Sequence, residues 1–158
     1  MSRSDDLFPS RMPTFNHVAM SLPADLLDVD GRKAIVDFYS EVFGWEELPT
    51  QTEDRKRLVL AAHTYEQFVF LIAEDQPMAA PRLDHFGLSV GALDELHAAH
   101  ARAVAYRERD DRVDIIDPDV EDHRVLKLHN FYVGYLLPLM VEVQHWEFPS
   151  PGRGAAGG

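Results

Sequence analysis

The chain has 158 residues, of which 46% are hydrophobic, and it contains no cysteine. This length and composition predict one globular domain rather than a disordered chain, and the missing cysteines exclude disulfides and thiolate metal sites. The formal net charge of −12 predicts a surface that repels phosphate backbones and anionic lipids, so neither nucleic acid nor a membrane is expected as a partner.

Both ends of the chain are expected to lie outside the core. Residues 1–13 are polar and predict a flexible arm, and residues 148–158 are rich in Gly, Ala and Pro, which predicts a disordered tail. The sequence has no run of 18 or more apolar residues, and its first residues lack the apolar segment of a secretory signal. We therefore expect a cytoplasmic location.

The most informative feature is a short pattern that occurs twice. Residues 15–22 read Phe-Asn-His-Val-Ala-Met-Ser-Leu, and residues 83–90 read Leu-Asp-His-Phe-Gly-Leu-Ser-Val. Both segments alternate with the period of a half-buried strand, and each places one histidine, His17 or His85, at the same position. The repeat predicts two similar modules, each of which presents one histidine to a shared centre.

The order of elements is also repeated. In the first half the pattern predicts a strand at 14–22, a loop at 23–31, a helix that stops at Gly44, and strands near 58–60 and 68–72. In the second half it predicts a strand at 83–90, a helix near 92–106, a short strand at 113–116 that ends at Asp117-Pro118, and an antiparallel pair, 124–130 and 139–146, joined around Gly134. The predicted modules are 14–75 and 83–147, and residues 76–82 link them.

These phrases in this order resemble the vicinal oxygen chelate superfamily, which includes glyoxalase I, bleomycin-binding proteins, fosfomycin-resistance transferases, methylmalonyl-CoA epimerases and extradiol dioxygenases. The resemblance covers about residues 14–147. It rests on Phe15-Asn16-His17-Val18-Ala19-Met20, Phe38-Tyr39, Phe43-Gly44-Trp45, Asp84-His85-Phe86-Gly87-Leu88 and Met140-Val141-Glu142-Val143. It implies an α+β fold of two tandem βαβββ modules that form a cup-shaped, pseudo-twofold mixed sheet with flanking helices.

The resemblance also implies a set of metal ligands from the first and last strands of each module. Carried over by position, these are His17, His85 and Glu142, while Phe70 stands where a fourth ligand would be. A phenyl ring cannot bind a metal, so two histidines and one carboxylate remain. A different strand register would make Gln67 or Glu74 the fourth ligand, which keeps an epimerase-like site open.

Imidazole and carboxylate suit a divalent ion, with Fe(II) favoured and Mn(II), Zn(II) or Ni(II) as alternatives. Three protein ligands leave positions free for a substrate and for water or dioxygen, which is the arrangement of a catalytic site. The prediction is a metal-dependent enzyme, most like an extradiol-type dioxygenase, whose small substrate chelates the metal through neighbouring oxygens. An epimerase, lyase or transferase of the same superfamily and a metal-free binding protein for an antibiotic-type small molecule remain alternatives.

Three further residues are candidates for acid-base and hydrogen-bonding roles because they lie on or beside the strand pair that leads to Glu142. These are His129, Tyr132 and Tyr135, which the extradiol resemblance places near the metal. The chain lacks the acidic-Pro-x-Gly turn of that group, and a solvated hairpin is the alternative interpretation. A homodimer is expected because a half-open sheet leaves edges for a partner to cover. Whether the modules pair within one chain or between two is left open.

Overall fold

The computed structural model describes residues 13–48 and 56–149. The predicted arm and tail therefore lie outside the described residues, except for residues 13, 148 and 149. The elements in chain order are β1 (His17–Leu22), a 3-10 turn (Ala24–Leu27), α1 (Val29–Phe43), β2 (Glu46–Glu47), β3 (Arg57–Ala61), β4 (Phe68–Ala73), β5 (His85–Ser89), α2 (Leu93–Arg107), β6 (Asp114–Asp122), β7 (Lys127–Gly134) and β8 (Met140–Glu147).

The strands form two four-stranded mixed sheets with the same topology. The first sheet has the order β1-β4-β3-β2, and the second has the order β5-β8-β7-β6. In each sheet the first and last strands of the module pair in parallel, whereas the other neighbours are antiparallel. The predicted α+β fold with two similar halves is confirmed. The order also leaves β1 and β5 at sheet edges, each paired on one side within the described chain.

The start of α1 differs from the prediction, which had a loop at 23–31. The helix begins at Val29 because Asp28 caps it, with its carboxylate accepting a hydrogen bond from the Gly31 amide at 2.8 Å. Gly31 lies in this first turn because a Cβ there would be 2.7 Å from the Asp25 carbonyl oxygen. The glycine therefore reflects close packing against the 3-10 turn. The predicted stop at Gly44 is confirmed, with φ of 72°.

Strand β6 is longer than predicted, since it continues past Pro118 to Asp122. The ladder with β7 is interrupted by a bulge between Ile116 and Asp119, and Pro118 lies within it. Strand β6 also lies at the edge of its sheet. A proline is tolerated at a bulge in an edge strand because no ladder hydrogen bond requires its missing N–H.

The helices and the inner sheet faces enclose one core that joins the halves. Its members include Met20, Leu22, Leu71, Phe131 and Val143. The joint between the halves is aromatic. The Phe38 and Tyr135 rings stack with centroids 4.5 Å apart, and the Tyr39 hydroxyl donates to the Tyr135 carbonyl oxygen at 3.0 Å. In the part of the chain that the structure describes, neither helix is long and apolar enough to cross a bilayer.

Candidate functional site

His17 and His85 both lie on the sheet face opposite the core. In β1 the side chains of Met20 and Leu22 are buried while His17 is exposed, and in β5 His85 is exposed beside half-buried Phe86. This follows from the alternation of side chains along a strand. We call the face of each sheet that carries its histidine the open face.

Glu142 is the buried carboxylate of the second open face, with 5% of its surface exposed. It sits opposite Gly87 of β5 and Tyr132 of β7. Oε1 accepts hydrogen bonds from the Tyr132 hydroxyl at 2.9 Å and the Asn130 amide at 3.1 Å, and Oε2 accepts one from the Gln144 amide at 2.8 Å. These donors compensate the cost of burying a charge. Burial and this contact with the carboxylate raise the pKa of Tyr132 to about 12.

His85 completes this cluster. Its Nε2 lies 3.2 Å from Glu142 Oε2, and its Nδ1 lies 2.7 Å from the Leu83 carbonyl oxygen. A carbonyl oxygen only accepts hydrogen bonds, so Nδ1 carries the proton. The lone pair of Nε2 then points at a carboxylate oxygen, which also has only lone pairs to offer. The contact is therefore attractive only with a proton or a metal cation between the two atoms.

The pair fits a divalent ion in distance and in donor chemistry. Two ligand atoms about 2.1 Å from one ion and at right angles to each other are about 3 Å apart, close to the observed separation. Within residues 13–48 and 56–149, however, no three His, Asp or Glu side chains lie close enough to hold an ion. The predicted convergence of His17, His85 and Glu142 therefore does not occur inside a single chain.

His17 lies apart from that pair, on the first sheet. Its ring stacks on Phe68 with centroids 4.7 Å apart and planes 3° from parallel, and its Nδ1 is 2.6 Å from the Asn16 amide oxygen. That contact places the proton on Nδ1 and leaves the Nε2 lone pair available as a ligand. The side chain faces a groove of about 820 Å³ that also borders Gln67 and Arg102.

Phe70 holds the position in the first half that Glu142 holds in the second. Phe70 is paired with Ala19, two residues after His17, and Glu142 is paired with Gly87, two residues after His85. The register thus places a phenyl ring where the other half has a carboxylate. Gln67 precedes β4 and Glu74 follows it, so neither takes this position.

Of the three predicted acid-base candidates, only Tyr132 contacts Glu142. His129 is on the core-facing side of β7, where its Nε2 is 2.7 Å from Glu147 Oε2, and this contact lowers the pKa of Glu147. Tyr135 is buried at the joint, and its hydroxyl donates to Asp110 at 2.7 Å. Burial is the largest cause of the raised pKa of Tyr135, and this hydrogen bond to Asp110 raises the pKa further.

Asn130 and Gln144 belong to the site but were not singled out from the sequence. Both flank Glu142 through the β7–β8 pairing, in which Asn130 is opposite Gln144. The alternation of side chains along β8 could have identified Gln144, because residues two positions apart on a strand share a face and Glu142 is two positions before it. Asn130 required the register between the two strands, which the sequence does not specify.

Comparison by sequence finds no protein-family profile that matches the chain and no matching curated protein. Comparison by structure finds similar folds. A glyoxalase/bleomycin resistance protein from Albidiferax ferrireducens T118 is 16% identical with a TM-score of 0.58, and the match covers 83% of this chain and 98% of that one. Lactoylglutathione lyase from Agrobacterium tumefaciens is 16% identical with a TM-score of 0.54, over 85% and 94% of the two chains.

The fosfomycin resistance protein FosX from Listeria monocytogenes is 12% identical with a TM-score of 0.58, and the match covers 84% of this chain and 90% of that one. Identities this low establish the fold and leave the chemistry to be argued from the site. The chain therefore has the fold of the vicinal oxygen chelate superfamily, and the resemblance noted from the sequence is confirmed at the level of fold.

Proposed function

We propose that this chain of vicinal oxygen chelate fold is a divalent-metal-dependent enzyme whose small substrate chelates the metal through neighbouring oxygens. The observation that carries the proposal is the contact of His85 Nε2 with Glu142 Oε2 at 3.2 Å on an open sheet face. When bound, the ion would act as a Lewis acid toward those oxygens. His85 and Glu142 would hold it, with Fe(II) favoured over Mn(II), Zn(II) or Ni(II).

The third ligand, His17, is proposed to come from a second copy of the chain. In each sheet the histidine of the open face lies on an edge strand, which is β1 in the first sheet and β5 in the second. A twofold dimer that places β1 of one copy near β5 of the other would bring His17 of one to His85 and Glu142 of its partner. Such a dimer would hold two equivalent sites.

The side chains around Glu142 have separable tasks in this proposal. Asn130 and Gln144 fix the carboxylate through their amides, and so keep its orientation constant when a ligand binds. The Tyr132 hydroxyl donates to Oε1 and is proposed as the hydrogen-bond donor to the substrate. Since its pKa is raised to about 12, it remains a hydrogen-bond donor across the physiological range.

The finer reaction class we propose is the extradiol-type dioxygenase. Two histidines and one carboxylate leave positions for both a substrate and dioxygen, and Phe70 excludes a fourth protein ligand at the matching register position. The direct assay is ring opening of catechol in air by Fe(II)-loaded protein, followed by absorbance of the product. Epimerase, lyase and transferase reactions on substrates with neighbouring oxygens are the rival classes, and they predict an unaltered catechol.

A second candidate function is metal-free binding of a small molecule. It is favoured by one observation: protein donors already contact both oxygens of Glu142, so the carboxylate is satisfied without an ion. Metal content measured by plasma mass spectrometry, on protein purified without chelator, separates the two candidates. Close to one ion per chain supports the enzyme. Ligand binding that is unaffected by stripping with EDTA supports the binding protein.

The location of the site between copies has its own test. Neither His17→Ala nor His85→Ala should bind metal alone. If the site is shared, a heterodimer of the two has one site with both defects and one intact site. Mixing the variants after partial unfolding should then restore roughly a quarter of the parent stoichiometry at random pairing. A site formed within one chain would show no restoration.

A further inference from the structure

The open face of the second sheet continues past Glu142 to an aromatic side chain that the proposed chemistry does not use. Along β8 the residues Glu142, Gln144 and Trp146 point to the same side, and Trp146 lies opposite Leu128 of β7. The Trp146 side chain is 42% exposed, and the ring of Phe148 lies 6.4 Å from it between centroids. This end of the face is therefore apolar and accessible to solvent in the described chain.

A chain of hydrogen bonds fixes Trp146 relative to the carboxylate. The indole Nε1–H donates to Gln144 Oε1 at 3.0 Å, and the same amide donates through Nε2 to Glu142 Oε2 at 2.8 Å. Because the indole N–H already donates to Gln144, the exposed part of the side chain offers a ligand the apolar surface of the ring. A ring that is held in place before binding loses little conformational entropy when a ligand stacks on it.

The charges near this end select against anions. Glu121 lies on β6, which pairs with β7, and its backbone is opposite Leu128. Its carboxylate Oε1 accepts a hydrogen bond from the Asn130 amide at 3.3 Å. The chain as a whole carries a formal charge of −12. The face of an indole ring is electron-rich and attracts cations or the positive edges of neutral rings. A negatively charged ring would be repelled by both.

We propose that Trp146 forms a subsite for a planar aromatic ring, neutral or cationic, of the substrate whose neighbouring oxygens reach His85 and Glu142. This inference rests on the proposed function. The Cα atoms of Glu142 and Trp146 are four residues apart on one strand, or about 13 Å at the usual rise. The substrate class is therefore elongated, with a chelating end and an aromatic end. Gln144 is a positioning residue for both ends.

The test compares two probes on the full chain loaded with Zn(II), which is redox-inert. Catechol carries only the chelating end, and 3,4-dihydroxystilbene adds a planar ring. By calorimetry the parent should bind the stilbene about tenfold more tightly than catechol, which is the effect of one stacked ring. Trp146→Ala should reduce this ratio of the stilbene affinity to the catechol affinity to about one, and Trp146→Phe should retain most of the difference. Tyr65→Ala removes an exposed aromatic ring elsewhere and should leave the ratio unchanged.

A second measurement does not depend on the metal. In an ¹⁵N spectrum of EDTA-treated protein, the indole signal lost in Trp146→Phe identifies Trp146, and 3,4-dihydroxystilbene should shift it while catechol should not. A stilbene shift without any catechol binding to the Zn(II) form would reject the proposed function and support the subsite. Catechol binding with a ratio that Trp146→Ala leaves intact would reject the subsite alone. Dissociation of a dimer by Trp146→Ala would also reject it, because Trp146 would then be an interface between copies.

Discussion

The two open faces occupy matching positions in the two halves and differ in their chemistry. The first carries His17 above a floor of apolar side chains that includes Phe68, Phe70 and Ile72, whereas the second carries His85 above the hydrogen-bonded carboxylate Glu142. The topology and the histidine position are the same in both. The difference shows that the fold supplies equivalent positions, and that one residue per half, Phe70 or Glu142, decides whether a position carries an apolar ring or a carboxylate.

The largest expected effect is the loss of metal when the second face loses a ligand. His85→Ala should lower metal affinity by more than about a hundredfold, because one of two donors from this face is removed. The fold should persist, since the core side of β5 keeps its packing. Equilibrium dialysis with plasma mass spectrometry measures the affinity, and circular dichroism checks the fold. His145→Ala, a half-buried histidine on the other side of β8, is the matched control. Equal losses in both variants would contradict the assignment.

The reverse change on the first face should add a ligand. Phe70→Glu places a carboxylate at the register position of Glu142, so we expect metal to bind about tenfold or more tightly and the catechol assay to lose activity because an open position is filled. Without metal, the half-buried charge should lower the free energy of unfolding by about 2 kcal/mol, and added metal should restore it.

Thermal melts with and without metal, together with a titration, test this pair of effects. Phe70→Leu is the control, since it opens the same space without a donor. An affinity that matches the Leu variant would show that Phe70 does not face the ion. An intact coordination spectrum in Phe70→Glu would lead to the same conclusion.

The histidine positions and the equivalence of Phe70 and Glu142 could be predicted from the sequence because strand alternation has a period of two and the pattern is repeated. Among the partners of Glu142, Tyr132 was a candidate through the resemblance, whereas Asn130 and Gln144 were not singled out. The contacts of Tyr132 and Asn130 depend on the β7–β8 register, which the connection 135–139 sets, and Tyr132 lies beyond the predicted strand end at residue 130. A change of one residue in that connection would exchange the faces of His129 and Asn130. The acid-base role predicted for His129 depended on this register.

A smaller effect is expected from a single donor to the carboxylate. Tyr132→Phe removes the hydrogen bond of 2.9 Å to Glu142 Oε1 and leaves the ring in place, so metal affinity should fall by about tenfold. The ring contact with His85, at 5.0 Å between centroids, should persist. Competition with a fluorescent chelator measures the affinity, with Tyr65→Phe as an exposed control. Unchanged affinity would mean that Asn130 and Gln144 suffice to orient the carboxylate.

The smallest effect concerns the joint that both faces share. Asp110 accepts hydrogen bonds from Arg112 and from the Tyr135 hydroxyl, and these contacts, led by the one from Arg112, hold the pKa of Asp110 below its usual range. The ionised form is therefore stabilised by folding. Asp110→Asn should lower the free energy of unfolding at neutral pH by about 1 kcal/mol, and added salt should reduce the difference because Arg112 is half exposed.

The sign of the pH dependence follows from the lowered pKa. An unfolded aspartate titrates near about 3.9, so the stabilisation from ionised Asp110 is fully present above that pH. It disappears as the pH falls through the lower pKa of the folded state. The difference in the free energy of unfolding between the parent and Asp110→Asn, measured by urea denaturation, should therefore be constant from pH 7 to about 5 and should become smaller below about pH 4. Asp111→Asn removes the same charge from the exposed neighbouring residue and should show no such difference. If metal affinity at His85 and Glu142 also changed in Asp110→Asn, the joint and the open face would be coupled, and the two faces could not be treated as independent.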